Sequence, residues 1–271
     1  MTRTRNTLTC VLCFMIGICL VFSFLGSPNW PRQVVYGSSC DTDGLLLPNL
    51  KTQVPHHLQI VNQQQKELLR LSNGIANTGP GIWQMVPVNP PDKNSPQKAS
   101  QQFLDSNGNV VLTCPTGSTS QYHPAHKHFH ISDVASFAVH PDSLKSDPLR
   151  GSTKVTSCLI DWIRLEGNSP DNERQFSSCD SGVQGISPGW VDQYHMALEG
   201  QSIDITGIPP GTYYLVSKAN PSGFFYETDE SDNVAWVKFQ LLRDSTGNPK
   251  IELTGHSACT DGLCGEDFPN R

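Results

Sequence analysis

The chain has 271 residues, with 19 Lys and Arg against 25 Asp and Glu, a formal net charge of -6 and only 16% charged residues. This length supports one domain with a sizeable core. The acidic balance leaves no surplus cation to neutralise a phosphate backbone, and no Lys/Arg-rich run or Arg-aromatic stripe occurs, so nucleic acid is excluded as a partner.

The first 27 residues differ in kind from the rest. Arg3 and Arg5 precede an uncharged apolar stretch, residues 8–25, which Gly26, Ser27 and Pro28 terminate. This is the pattern of a secretory signal peptide or an uncleaved signal anchor. Positive charge on its amino side puts everything after Trp30 outside the cytoplasm in either case, and a membrane is expected as a partner only through this segment when it is retained. Residues 28–43 read as a linker and residues 44–271 as the folded domain. Cys10, Cys13 and Cys19 lie in the apolar segment, which leaves Cys40, Cys114, Cys158, Cys179, Cys259 and Cys264, an even number that can form disulfides in an oxidising compartment. Cys259 and Cys264 are the pair closest in sequence and are expected to pin a loop near the carboxyl end. No CxxC pair exists among these six, so zinc on cysteine is set aside.

Beyond the leader the predicted elements are strands: Leu68–Asn77, Val110–Cys114, Phe129–Val139, Val155–Trp162, Ile203–Ile208, Thr212–Lys218, Val234–Leu242 and Ile251–Leu253. Each is short, β-branched or aromatic, and bounded by Gly, Pro, Asn or Asp. In the strand from Val234, alternation directs Ala235, Val237, Phe239 and Leu241 to one face and Lys238 and Gln240 to the other. Asn107-Gly108 and Pro209-Pro210-Gly211 supply local reversals. The fold class is therefore mainly β, an antiparallel β-sandwich with long loops and little helix.

The tract Gln121 to Ser132, QYHPAHKHFHIS, holds four of the nine histidines. His126, His128 and His130 alternate, so on an extended strand all three imidazoles leave one face as neutral nitrogen donors, an array that suits copper or zinc better than calcium or magnesium. A flat strand separates the outer two Cα atoms by roughly 13 Å, so one ion can be shared only if the backbone bends. His123 has the wrong parity and is expected behind the array or at the surface.

HPAHKHFH is similar to the copper-binding signature WHxCHxHYH of the lysyl oxidase family, with Tyr122 for the Trp, Ala125 for the Cys and Phe129 for the Tyr. Further blocks follow in the same order. LPNLKT (Leu47 to Thr52) and LRLSNGIANTGPG (Leu69 to Gly81) resemble the family's opening strands, and TKVTSCLID (Thr153 to Asp161) resembles KASFCLED. QGISPGWVDQY (Gln184 to Tyr194) and SIDITGIPPGTYYL resemble QGLSPGxxDxY and WIDITDxxPGxYxL. The resemblance implies a copper-dependent amine oxidase with a self-derived lysine tyrosylquinone, formed from Lys154 and Tyr194. Such an enzyme oxidises primary amines, lysine side chains of proteins among them, to aldehydes with dioxygen and releases peroxide and ammonia. A base must remove the substrate's α-proton; Asp192 and His195 flank Tyr194 and are the candidates at hand.

Departures from the pattern also carry information. Ala125 removes the motif cysteine that pairs, in animal members, with the counterpart of Cys179, so the resemblance implies a rewired Cys158–Cys179 disulfide. The segment Glu227 to Asn233 resembles the family's ESDYTNN, which implies a calcium site formed by Asp229, Asp232 and Asn233 with Asn49 and Leu50, Asn49 standing where the family has Asp. An ordinary acidic turn is the competing reading of that segment. For the whole chain the competing reading is a non-catalytic exported β-sandwich that binds metal as an adhesion or structural module and needs neither Lys154 nor Tyr194.

Overall fold

A computed structural model of the chain describes residues 40–152, 156–165 and 173–265. The leader and Lys154 lie outside the described residues, as does Val155, the first residue of the strand expected over Val155–Trp162. In chain order the strands begin with β1 (Leu50–Thr52), β2 (His56–Gln63), β3 (Lys66–Asn77), β4 (Trp83–Pro87), β5 (Gln97–Leu104) and β6 (Val110–His123). Next come β7 (His128–Ser132), β8 (Ala135–Pro141), β9 (Arg150–Gly151), β10 (Thr156–Ser157), β11 (Ile163–Arg164) and β12 (Gln184–Ile186). The series closes with β13 (Trp190–Tyr194), β14 (Ser202–Asp204), β15 (Gly211–Ala219), β16 (Val234–Arg243) and β17 (Pro249–His256). No helix occurs among the described residues.

Three antiparallel sheets share the core. One runs β1-β3-β13-β11, with β2 and β14 on the amino half of β3; the second runs β10-β7-β6-β5-β4-β12; the third runs β17-β16-β15-β8-β9. Leu50, Leu69 and Leu71 of the first sheet, Trp83, Met85 and Ile131 of the second, and Val139, Leu215, Val237 and Phe239 of the third form one buried cluster. Burial of each such side chain contributes about 1.5–3 kcal/mol. The alternation expected from Val234 holds, with Ala235, Val237, Phe239 and Leu241 buried.

Strand β3 organises the centre. From Leu71 to Asn77 every residue is buried, on both faces of the strand, so polar groups there need partners. Asn73 Nδ2 donates to Thr52 Oγ1 (2.8 Å) and Ser217 Oγ (2.7 Å). Asn77 Nδ2 donates to the carbonyls of Gly81 (2.7 Å) and Ile186 (2.9 Å). At Gly74 an added Cβ would lie 2.4 Å from Gln53 Oε1 and 2.6 Å from Val191 Cγ1, so only glycine lets β13 and the β1 side pack this closely.

Three expected strands are redrawn. Phe129–Val139 is two strands, because Asp133 takes a left-handed conformation (φ 62°) where the chain passes from the second sheet to the third. Ile203–Ile208 pairs only as far as Asp204, whose carboxylate then accepts from the backbone N–H and hydroxyl of Thr206 and turns the chain. Among the described residues of Val155–Trp162, only Thr156 and Ser157 enter a ladder, because Asp161 is captured by loop donors instead. The Asn107-Gly108 turn forms as expected: the Asp105 carboxylate accepts from the backbone N–H of Asn107 and Asn109, and Gly108 has φ 80°.

The six cysteines pair as Cys40–Cys114, Cys158–Cys179 and Cys259–Cys264. The first joins the segment before β1 to β6 of the second sheet, and the second closes the loop that carries the functional region.

Candidate metal centre and active site

The histidines do not lie on one extended strand. His123 ends β6 and pairs with His128 across a tight hairpin. The N–H groups of His126 and Lys127 both donate to the His123 carbonyl (3.1 and 2.8 Å), and Lys127 has φ 64°. This reversal lifts His126 over β7, where it meets His128 and His130, which keep the expected parity. The bend demanded by the 13 Å objection is thus a chain reversal, with no bulge on a continuous strand.

One ring nitrogen from each of the three histidines lies within 4.8 Å of the others. His130 Nε2 is 3.3 Å from His126 Nδ1 and 3.0 Å from His128 Nε2. Two nitrogens bound to one ion at about 2.0–2.1 Å stand about 3 Å apart, so the donor set fits a late transition metal. The opposite ring atoms have partners of their own. His130 Nδ1 lies 3.2 Å from Thr156 Oγ1, and His126 Nε2 lies 3.9 Å from Glu199 Oε2. These contacts leave Nδ1 of His126 and Nε2 of His130 as the nitrogens turned toward the centre of the cluster. His123 stacks on His126 with ring centroids 4.1 Å apart, behind the cluster as its parity implied.

Tyr194 reaches the same place from the last residue of β13. Its hydroxyl donates to the Cys158 carbonyl at 2.6 Å. Burial of the phenol, reinforced by the nearby Asp192 charge, holds its pKa well above the ordinary tyrosine value, so the ring is neutral at physiological pH. The Cys158 carbonyl is fixed in turn: Cys158 is disulfide-bonded to Cys179, whose own carbonyl accepts from Phe129 N–H between the two strand histidines (3.1 Å). Asp161, fully buried, anchors the rest of the loop. It accepts from the N–H of Gln175 (2.8 Å), Phe176 (3.1 Å) and Ser187 (2.7 Å) and from Ser187 Oγ (2.8 Å).

The trio and Tyr194 face one cavity of about 530 Å³, which Asp192 and His195 also line. Ile160, Trp162 and Leu198 make its walls apolar and Glu199 adds an exposed carboxylate. Asp192 is 2% exposed. His195 Nδ1 accepts from Ala197 N–H (3.1 Å), so its neutral ring carries the proton on the other nitrogen. Thr156, Glu199 and the apolar walls were not singled out from sequence. Only the nearness of Thr156 to Lys154 and of Glu199 to Tyr194 along the chain pointed at them.

The residues of the expected calcium site also gather. Glu227 is central: its Oε2 accepts from Leu50 N–H (2.8 Å), and its Oε1 accepts from Asn220 and Asn233 (2.7 and 2.8 Å). Asn49 Nδ2 donates to Asp232 Oδ2 (3.1 Å), and Asn49 Oδ1 accepts from Asp229 N–H. Burial raises the Glu227 pKa. Asp232 Oδ1 and Asn233 Oδ1 are buried without a hydrogen-bond partner, the kind of oxygen a hard cation satisfies. The Lys51 ammonium already bridges Asp232 (2.9 Å) and Asp261 (2.8 Å).

Comparison with known proteins agrees with this geometry. The model of the family described as Lysyl oxidase matches residues 98–247. Protein-lysine 6-oxidase of Sus scrofa is 32% identical over 142 residues, which is 52% of this chain and 50% of that protein. The Homo sapiens protein-lysine 6-oxidase is 32% identical over 145 residues, 52% of this chain and 30% of the relative. Lysyl oxidase homolog 1 of Homo sapiens is 33% identical over 116 residues, 43% of this chain and 19% of the relative. The chain thus spans half or less of the length of these curated relatives. The match takes in β5 through β16, and with them the histidine hairpin, the Cys158–Cys179 loop and Tyr194, so the chain belongs to the lysyl oxidase family.

Proposed function

We propose that the chain is a copper-dependent amine oxidase in which Lys154 and Tyr194 form a lysine tyrosylquinone. The balanced reaction takes a primary amine, dioxygen and water to an aldehyde, ammonia and hydrogen peroxide. The observation that carries this reading is the single cavity lined by both the histidine trio and Tyr194, residues that only folding brings together. Copper at His126, His128 and His130 would supply the redox chemistry that matures the tyrosine, and the quinone would supply the electrophilic carbonyl for the amine.

The chain's own residues divide the remaining work. The Cys158 carbonyl accepts from the Tyr194 hydroxyl and holds the oxygen end of the phenol in place. Thr156 orients His130 through the contact between its Oγ1 and His130 Nδ1. The apolar walls suit the methylene chain of a lysine side chain and limit water around it. Of the two flanking candidates, Asp192 takes the role of proton acceptor: a carboxylate accepts a proton directly, whereas the lone pair of His195 Nδ1 is engaged by Ala197 N–H. The substrate class is peptidyl lysine or a small primary amine. The three disulfides support an extracytoplasmic location, secreted or anchored by residues 8–25. Calcium held by Asn49, Leu50, Asp229, Asp232 and Asn233, with Glu227, would brace β1 against the loop before β16.

Peptide mass mapping of protein matured with copper tests the proposal. A covalent Lys154–Tyr194 peptide with amine-dependent peroxide is the expected result. Two linear peptides and no peroxide would leave the non-catalytic metal-binding module.

A further inference from the structure

Strand β13 has an open edge inside the amine cavity. On β3, the Gly74 carbonyl accepts from Gln53 N–H (2.8 Å), so the main chain there points toward the β1 side. Gln193 stands opposite Gly74 in the antiparallel register, and in such a pair both residues turn N–H and C=O away from each other. The main-chain groups of Gln193 therefore point to the outer edge of β13. Strand β11 covers that edge only at Trp190 and Val191. Continuing its register would set Asp161 against Gln193, but Asp161 N–H donates to the Phe176 carbonyl (2.9 Å) instead. Among the described residues no group pairs with the main-chain N–H or C=O of Gln193. Its side chain is turned to the other face, with Nε2 3.4 Å from Gln53 Oε1 and 3.2 Å from His56 Nε2, so Gln193 presents its main chain to the cavity.

A free N–H and C=O on a strand edge pair with another extended chain. We infer that Gln193 is a docking site for the main chain of an extended peptide, which adds to β13 as an antiparallel strand and carries the lysine to be oxidised. The inference rests on the amine-oxidase reading for the lysine and on the strand edge for the site. One peptide residue exchanges both hydrogen bonds with Gln193, and the residue before it then lies across from Tyr194. Cross-strand neighbours have Cβ atoms about 4.5–5.5 Å apart on one face, so a lysine at that position runs beside the Tyr194 ring. Trp162 (58% exposed) and Leu198 (44%) line the same cavity and offer apolar surface to the residues flanking the lysine. Recognition of this kind selects a lysine in an extended segment over one in a helix, whose main-chain N–H groups are already bonded.

The register makes the test specific. In a short lysine-containing peptide, N-methylation of the residue after the lysine removes the N–H that pairs with Gln193. N-methylation of the lysine's own amide alters an N–H that faces away from β13. The full chain matured with copper is assayed for peroxide with the unmethylated peptide, the two methylated isomers and butylamine. Methylation after the lysine should lower kcat/KM on the order of tenfold, and methylation on the lysine should leave it within about twofold. Calorimetric binding of the same peptides to protein prepared without copper should follow the same order. Equal effects of the two methylations, the reverse order, or a kcat/KM for butylamine equal to that of the peptide would each overturn the inference, as would failure of the unmethylated peptide to bind. Peroxide from butylamine with indistinguishable isomers refutes the docking edge and leaves the amine-oxidase reading standing. Binding that senses the methylation, with no peroxide from any amine, refutes that reading and leaves the edge as a peptide site alone.

Discussion

Replacing Asp161 with Asn isolates the loop that holds Tyr194. The wild-type carboxylate is 0% exposed; one of its oxygens accepts from Gln175 N–H, Phe176 N–H and Ser187 Oγ, and the other accepts from Ser187 N–H. The amide's best orientation keeps its oxygen on the first group of donors and turns its NH2 toward Ser187 N–H, where two donors then oppose each other. One hydrogen bond to a charged acceptor is lost, about 1.5–3 kcal/mol, and a buried N–H is stranded at a further cost of about 1–3 kcal/mol. The sum, about 2.5–6 kcal/mol, corresponds at this chain length to a fall in Tm of roughly 5–20 °C. Differential scanning calorimetry of D161N beside wild type measures it, with the exposed Asp147→Asn as a control expected within about 0.5 kcal/mol of wild type. A Tm for D161N indistinguishable from that of the control would refute the assignment of Asp161 as the loop's anchor.

Three further outcomes are expected. Thr156→Val removes the acceptor that orients His130 and should weaken copper binding about 10–100-fold by competition titration, with a changed Cu(II) electron paramagnetic resonance spectrum. The Tyr194 phenol has a folded pKa raised above its unfolded value, so the unfolded state releases its proton first and stability falls as pH rises past the ordinary tyrosine range. Denaturant titrations of Tyr194→Phe, with both proteins prepared without copper so that Tyr194 stays a phenol, should therefore show a shallower loss of stability than wild type above pH about 10. Lys51→Met leaves Asp232 and Asp261 without their shared ammonium. A loss of about 1 kcal/mol is expected, together with a larger Tm response to added calcium than in wild type.

The histidine tract shows where sequence reasoning reached and where it stopped. Parity placed His128 and His130 on one face, and composition marked the tract as unusual, but the hairpin at residues 124–127 depends on Lys127 adopting a left-handed backbone that lysine rarely takes. The strands β15 and β16 were legible because one face is buried and the other is not. Strands β2, β4, β5 and β13 were missed, since runs such as Gln97 to Gln102 have weak strand propensity and are held by their neighbours' ladders. The segment around Asp161 looked like a strand from its apolar residues, and a single buried carboxylate redirected it. The cavity walls Ile160, Trp162 and Leu198 have no local signature, because their role exists only once β13 lies beside the Cys158–Cys179 loop.

The three imidazoles sit at one hairpin, whereas Tyr194 comes from a strand that pairs with β3 in a different sheet. Contacts between residues so near in sequence have a small closure entropy and form early in folding, while pairings across sheets come late. Under the proposed function, the histidine trio would therefore be assembled on a nascent chain before the phenol arrives, and Tyr194 would meet the metal only in a molecule that has finished folding. Self-processing, on that proposal, would be confined to correctly assembled copies.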